Sequence, residues 1–151
     1  MSALSLATAV ALGGASAGAQ SRVANKVAAA KALKCTFSTV TTGNWKDGSA
    51  VGEIKPAELT IGFEDIDSDE GSASVVGAFG PADIIVRLSN GTLHFVQSFR
   101  EGPLYSTTIF SHEVRPNVLM AVHTRHEFTT VQLPGFTSRP EQYYGECEIT
   151  K

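Results

Sequence analysis

The stretch that decides the fold spans residues 84–96 and reads Ile84-Ile85-Val86-Arg87-Leu88-Ser89-Asn90-Gly91-Thr92-Leu93-His94-Phe95-Val96. Asn and Gly adopt positive φ at little cost, and the runs on either side are rich in the apolar residues that strands prefer. Asn90-Gly91 therefore predicts a tight β-hairpin, the strongest local signal in the chain.

The same period of two continues outward from this hairpin. Leu59, Ile61 and Phe63 alternate with polar or small residues, which indicates a strand with one buried and one wet face. Turn residues recur at short intervals between such segments. They divide the chain into eight predicted strands: 34–42, 57–65, 72–79, 83–89, 92–99, 104–111, 118–128 and 142–149.

Eight short strands with short links favour an all-β antiparallel up-and-down meander, which removes its exposed edges by closing into a barrel. A β-sandwich is the alternative. Cys35 and Cys147 lie on the first and last predicted strands, which are neighbours in a closed meander. An even cysteine count in an exported chain is typical of a disulfide, so we expect one between them.

The N-terminal segment suggests export. Residues 1–19 carry no charge, are apolar over residues 3–12, and end in small residues that fit signal-peptidase sites, Ala15-Ser16-Ala17 and Ala17-Gly18-Ala19. A signal peptide normally opens with Lys or Arg, so either the true start lies upstream or the segment is a retained Ala-rich helix. We expect a signal peptide over 1–19, an Ala-rich lead-in over 20–33 with a helix at 21–33, and one barrel domain over 34–151. The expected location is periplasmic or secreted, with no stable membrane anchor.

Composition excludes some functions. Twelve basic and fifteen acidic residues are scattered along the chain, so we expect no nucleic-acid partner. No phosphate-binding loop, nucleophile elbow or zinc-protease motif is present, and Ser111-His112-Glu113 are merely adjacent, so an enzyme is not favoured and no cofactor is expected. Nothing in the sequence defines the oligomeric state.

The acidic run over residues 65–71 places carboxylates at alternate positions, as calcium loops do. Glu70 stands where the EF-hand pattern needs Gly, and Val76 where it needs Glu. We therefore interpret the run as a solvated hairpin turn and expect no metal there. On a strand, His123 and His126 point to opposite faces and cannot both bind one ion without a bulge. A zinc site would also need a third ligand from elsewhere, for which His94 or His112 are only guesses.

The most polar part of a predicted strand is His123-Thr124-Arg125-His126-Glu127. Alternation places His123, Arg125 and Glu127 on one face. That row could bind a carboxylate or phosphate head group, with Arg125 making the bidentate contact and Glu127 orienting it. It could equally be a solvent-facing ladder, with Val122, Thr124, His126 and Phe128 turned to the core, and the pattern favours this second interpretation. Phe136, in the loop before the last strand, either caps the barrel or touches a ligand.

Three stretches resemble a family of small exported bacterial proteins of unknown function, over most of residues 34–149: Thr107-Thr108-Ile109-Phe110, Ala121-Val122-His123-Thr124-Arg125-His126 and Tyr143-Tyr144-Gly145-Glu146-Cys147. This resemblance implies export and no assigned activity. In architecture the chain also looks like a lipocalin or calycin barrel, whose G-x-W motif is echoed by Gly43-Asn44-Trp45.

The sequence thus leads to three hypotheses. The first is an exported module that holds a small apolar or amphipathic ligand, since an eight-stranded barrel can admit one. The second is a filled barrel acting through its surface and loops. The third is a hydrolase with a site at the barrel mouth. Which of the glycines and bulky aromatic residues face inward separates the first two hypotheses.

Overall fold

The computed structural model describes residues 14–77, 80–100, 102–128 and 137–151. Within these ranges, one helix precedes eight strands: α1 (Gly14–Ala29), β1 (Leu33–Lys46), β2 (Ser49–Asp67), β3 (Ser72–Gly77), β4 (Gly80–Ser89), β5 (Thr92–Ser98), β6 (Leu104–Arg115), β7 (Val118–His126) and β8 (Glu141–Ile149). Each strand pairs antiparallel with the next, and β8 pairs with β1, so the meander closes on itself. This confirms the predicted all-β barrel, and the sandwich alternative is not adopted.

The hairpin predicted at Asn90-Gly91 is present. Asn90 and Gly91 have φ of 50° and 74° and link β4 to β5 directly. Ile84, Val86, Leu93 and Phe95 on the flanking strands are buried, so this hairpin presents its apolar face to the barrel interior.

The first hairpin is longer than predicted. We expected the first strand to end at residue 42, because Gly43 and Asn44 look like turn residues. Instead β1 continues to Lys46, Gly43 pairs with Gly52, and the turn is made by Asp47-Gly48 with φ of 51° and 78°.

Helix α1 covers one end of the barrel. It spans 14–29 and not the predicted 21–33, and it includes residues 15–19 of the proposed cleavage sites. Val27 and, just after the helix, Ala30 are buried against the core, while Ala24 lies over the Asn90-Gly91 turn. Lys26 adds an ion pair with Glu113 at 2.7 Å. The helix therefore closes this end, which we call the lower end.

The predicted disulfide is also present. Cys35 and Cys147 are directly opposite each other in the β1–β8 ladder, are bonded, and are fully buried. The bond ties the two strands that close the ring. In the chain-entropy account, a covalent loop of this length stabilises the fold by about 4 to 5 kcal/mol.

Strand register arranges the interior in layers across five adjacent strands. Proceeding from the lower end, each layer holds one inward residue from each of β1, β5, β6, β7 and β8. The lower layer is Phe37, Leu93, Ile109, Ala121 and Gly145; the middle layer is Val40, Phe95, Thr107, His123 and Tyr143; the upper layer is Thr42, Gln97, Tyr105, Arg125 and Glu141. The interior thus changes from apolar to polar along the barrel axis.

The lower layer depends on one close approach of two strands. The β1 ladder shifts register between Phe37 and Thr39, and Gly145 of β8 lies against this irregularity. A Cβ at residue 145 would lie 2.6 Å from Cα of Phe37 and even closer to the carbonyl oxygen of Thr36. Only glycine allows the two backbones to pack this closely.

Candidate functional site

A cavity of about 370 Å³ occupies the barrel interior above the lower layer. This volume is at the small end of the range for sites that hold small molecules. Most of its wall is apolar, and its polar wall groups come from the middle and upper layers. Leu59, Ile61, Phe63, Val75, Ile84, Phe95 and Phe99 form much of the apolar wall; Gln97, Tyr105, Thr107, His123 and Arg125 form the polar part.

The cavity lies beside the ladder between β2 and β3. Among the described residues, this ladder joins Gly62–Asp67 to β3 with a register shift after Glu64, whereas β2 itself begins at Ser49. Strand β3 has only six residues. Phe63 and Phe95 stack at a centroid distance of 4.0 Å and form the floor of the cavity on this side.

His123 is the enclosed polar centre of the site, with 4% of its surface exposed. Arg125 Nε donates to His123 Nε2 at 3.3 Å, and because an arginine nitrogen can only donate, Nε2 must be the acceptor. The proton of the neutral ring is therefore on Nδ1, which donates to Thr107 Oγ1 at 2.8 Å. Burial, with a smaller effect from the Arg125 charge, lowers the pKa of His123 to about 3.

Arg125 is held on several sides. Its guanidinium carbon lies 5.2 Å from the ring centre of Tyr105 and 5.2 Å from that of Tyr143, a cation–π contact with each. Its Nη1 atom is 3.9 Å from Glu141 Oε2, at the outer limit of an ion pair. The side chain is 19% exposed and forms part of the cavity wall. A cation is thus presented, in one fixed orientation, to a mostly apolar cavity.

Two tyrosine–glutamate pairs complete the cluster. Tyr105 donates to Glu127 at 3.0 Å, and Tyr143 donates to Glu141 at 2.6 Å. Burial, and then the hydrogen bond to the glutamate, raises the pKa of each tyrosine to about 12. Both hydroxyls therefore stay protonated at physiological pH. We call Thr107, His123, Arg125 and these four residues the Arg125 cluster.

The favoured interpretation of the polar strand as a solvent-facing ladder is wrong. His123 and Arg125 point into the barrel, whereas Met120 and Phe128, on the opposite parity, are 45% and 60% exposed. The prediction assumed that the interior must be apolar, so that Val122 and Phe128 had to face it. An interior that contains a cavity can hold polar side chains as well. Burying His123 costs little free energy because both of its ring nitrogens have hydrogen-bond partners.

The structure brings together three of the four predicted ligand residues. His123 and Arg125 are in contact, and Glu127 joins them through Tyr105. Phe136 lies outside the described residues. The role of these four residues in ligand binding stays a prediction.

The acidic run forms a turn between β2 and β3, as interpreted. Asp67 Oδ1 accepts from the backbone N–H of Glu70 and of Asp69, at 2.9 and 3.0 Å. The bond from Glu70, aided by that from Asp69, lowers the pKa of Asp67. Its oxygen therefore serves the turn itself.

The histidines do not converge on a metal site. His94 shares the outer face with Thr108, to which its Nδ1 is hydrogen bonded at 3.2 Å, whereas His123 is inside. Within the part of the chain that the structure describes, no three His, Cys, Asp or Glu side chains are grouped as metal ligands.

Sequence reasoning missed the partners of Arg125. Tyr105, Thr107 and Ile109 alternate on one face of β6, and Glu141, Tyr143 and Gly145 alternate on β8 in the same way. Those two patterns were available in the sequence. Combining them needed the strand register, which brings Tyr105, Arg125 and Glu141 side by side.

Comparison with protein-family models found no match, and neither did comparison with curated proteins or with solved structures. Among residues 14–77, 80–100, 102–128 and 137–151, no helix has the length and apolar character needed to cross a membrane. Any function must therefore be argued from the site itself.

Proposed function

We propose that the protein is an exported binding module that holds one small apolar or amphipathic molecule inside its barrel. The observation that carries the proposal is the cavity of about 370 Å³, whose apolar wall ends at an oriented arginine. Small-molecule sites typically combine a mostly apolar cavity with a few convergent polar groups that fix the ligand's orientation. The body of the ligand would pack against Phe63, Phe95 and Phe99, with its polar end at Arg125.

Export is the part of the proposal that rests on the disulfide. A buried Cys35–Cys147 bond forms and persists in an oxidising compartment. The uncharged residues 1–19 supply a candidate signal, although residues 14–19 of that stretch are helical. Cleavage after Ala17 or Ala19 would still leave Val27 and Ala30 to close the lower end.

A filled barrel that acts through its surface is the second candidate. The large aromatic residues Phe63 and Phe95 face inward, and Gly62 pairs with Lys34 on the outer face, which favours a filled interior. Gly77, in the cavity wall, and Gly145, in the lower layer, face inward and favour an open one. Trp45 and Phe128 are 56% and 60% exposed and contact each other edge to face at 5.4 Å. This exposed aromatic pair is the observation that favours a surface role.

The site geometry gives no support to a hydrolase. Both ring nitrogens of His123 are engaged, by Thr107 and Arg125, so the histidine presents no general base to a substrate. Glu127 and Glu141 each accept from a tyrosine hydroxyl. Ligand orientation is the simplest use of such a network.

Native mass spectrometry of protein purified gently from its own compartment is the first test. An added mass that disappears on organic extraction would support a bound small molecule and give its class. A bare chain would favour the filled-barrel candidate. The same spectrum reports whether the mass is two hydrogens below that of the reduced chain, as the disulfide requires.

A dye-binding experiment tests the cavity directly. N-phenyl-1-naphthylamine is uncharged and fluoresces when it enters an apolar site. Ala82 lines the cavity at an exposed position, so Ala82→Phe should obstruct it and weaken the fluorescence increase. Ser72→Phe adds the same side chain to an exposed position of the adjacent strand and should leave binding unchanged. Equal dye binding by both variants would mean that the dye, and the proposed function with it, does not use the cavity.

A further inference from the structure

We infer that the ligand's polar end is an uncharged hydrogen-bond acceptor, such as a ketone, ester or amide carbonyl, and not a carboxylate or phosphate. The inference rests on the proposed function and names the class of molecule that the cavity would take. It follows from the charges that surround Arg125, from the hydrogen-bond state of its neighbours and from the wall of the cavity.

The charge of Arg125 already has counter-charges within the protein. Glu141 lies 3.9 Å away, and Glu127 is linked to the guanidinium through the ring of Tyr105. The Arg125 cluster therefore holds one formal positive charge and two formal negative charges. A ligand carboxylate would be a third negative charge in this partly enclosed space, and a phosphate monoester would add still more.

No other group of the cluster can supply a compensating positive charge at neutral pH. His123 is enclosed, and its Nε2 must remain unprotonated to accept from Arg125. Tyr105 and Tyr143 are neutral donors already committed to their glutamates. An entering anion would also lose its hydration against a mostly apolar wall, a cost that needs a dedicated counter-charge.

An uncharged acceptor meets none of these penalties. A guanidinium carries five N–H donors, and His123 takes only the one on Nε. The terminal nitrogens can donate to a carbonyl oxygen while Glu141 continues to balance the charge. Gln97, also in the cavity wall and next to Tyr105 in the upper layer, offers a second uncharged partner for the same end of the ligand.

A matched ligand series tests the inference: 3-phenylpropanamide, 3-phenylpropanoate and 3-phenylpropylamine at pH 7, titrated calorimetrically and in competition with N-phenyl-1-naphthylamine. These molecules share one apolar body and differ in head group. The attraction of a ligand carboxylate to Arg125 is offset by its repulsion from the two slightly more distant glutamates, so the hydration that it loses against the apolar wall decides the preference. The amide should therefore bind at least about tenfold more tightly than the carboxylate. The amine should also bind less tightly than the amide, because its ammonium would face the like charge of Arg125 and offers it no acceptor.

Glu141→Gln supplies the decisive variant. Removing this negative charge should improve carboxylate binding about tenfold or more while changing amide binding much less. Glu148→Gln removes the same charge from an exposed, outward position of the same strand and should alter neither ligand.

The outcomes separate the inference from the function on which it rests. A carboxylate or amine that binds wild-type protein as tightly as the amide would overturn the inference alone, because the cavity would still be a binding site. Dye binding without competition from the amide would overturn it as well. No binding of the dye or of any member of the series would overturn the proposed function itself.

Discussion

Acidification from pH 7 to pH 5 should destabilise this protein through a single buried side chain, His123. The ring is enclosed and neutral, and its pKa is lowered from about 6.5 to about 3, first by burial and then by the Arg125 charge. The folded state therefore binds no proton at His123 between these values, whereas the unfolded chain does. The unfolded state is then favoured by proton uptake, so the free energy of unfolding rises with pH through this window and reaches its full value above pH 6.5.

The magnitude follows from the two pKa values. Proton binding to an unfolded-state histidine of pKa 6.5 lowers the free energy of unfolding by about 2 kcal/mol between pH 7 and pH 5. The result depends little on the folded-state value, since any pKa below about 4 leaves the buried ring almost unprotonated at pH 5. The slope approaches about 1.4 kcal/mol per pH unit at the acidic end of the window.

Urea unfolding at pH 7, 6.5, 6, 5.5 and 5 measures this dependence. His123→Gln keeps an uncharged hydrogen-bonding side chain at the site. Between pH 7 and pH 5 its free energy of unfolding should fall by about 2 kcal/mol less than that of wild type. His94→Gln removes a histidine from the outer face and serves as the matched control, with a wild-type slope expected. Stopping at pH 5 avoids Asp67 and Glu113, whose lowered carboxyl pKa values remove stability only at lower pH.

Equal pH slopes for wild type and His123→Gln would refute the reasoning. That result would mean that His123 takes up a proton in the folded protein, so the ring would be open to water or matched to an anion. The hydrogen bond from Arg125 Nε to His123 Nε2 would then be incorrect, and the assigned tautomer with it. Absolute stability is not the criterion, because the substitution also removes ring contacts.

Three further predictions concern the scaffold. Gly145→Ala should destabilise by about 1 to 3 kcal/mol or more in urea unfolding, because its Cβ would collide with the β1 backbone, whereas Gly52→Ala, whose Cβ meets nothing nearer than 4.0 Å, should change little. Replacing Cys35 and Cys147 together by Ala should cost about 4 to 5 kcal/mol, and reductant should then have no further effect on the variant; a loss below 1 kcal/mol would show that the disulfide does little. Val27→Ala should cost roughly 2 kcal/mol if helix α1 is docked as described, with exposed Asn25→Ala as the control; equal unfolding midpoints would mean that the helix is undocked.

The architecture was accessible from the sequence because its signals are local. Asn90-Gly91 and the alternation around it define a hairpin without knowledge of the rest of the chain. The cysteines then relate the first strand to the last, which selects a closed ring. Strand ends were less accessible: Gly43-Asn44 looked like a turn, whereas the chain turns four residues later at Asp47-Gly48, itself a good turn pair.

The site was only partly accessible, because its chemistry depends on strand register. His123 and Arg125 were singled out as polar residues in an apolar strand, but their side chains were predicted to face solvent and instead face the barrel interior. A shift of one residue exchanges the two faces of a strand, so parity requires knowing which face is buried. Tyr105 and Glu141 could be placed beside Arg125 only through the ladders that β7 forms on both sides.

The lower end of the barrel holds the features that stabilise the fold, and the upper end holds the proposed binding site. At the lower end the disulfide, the docked helix and the contact of Gly145 with the β1 backbone concentrate apolar burial and covalent restraint. At the upper end the β2–β3 ladder is short, and the interior holds a cavity and a charged cluster that contribute little apolar packing. A buried cluster of this kind is stable only if each polar group keeps its partner. Destabilising the lower end should therefore weaken the proposed ligand binding indirectly. Glu141→Gln should change ligand preference with little loss of stability, because the side-chain oxygen of Gln can still accept from Tyr143.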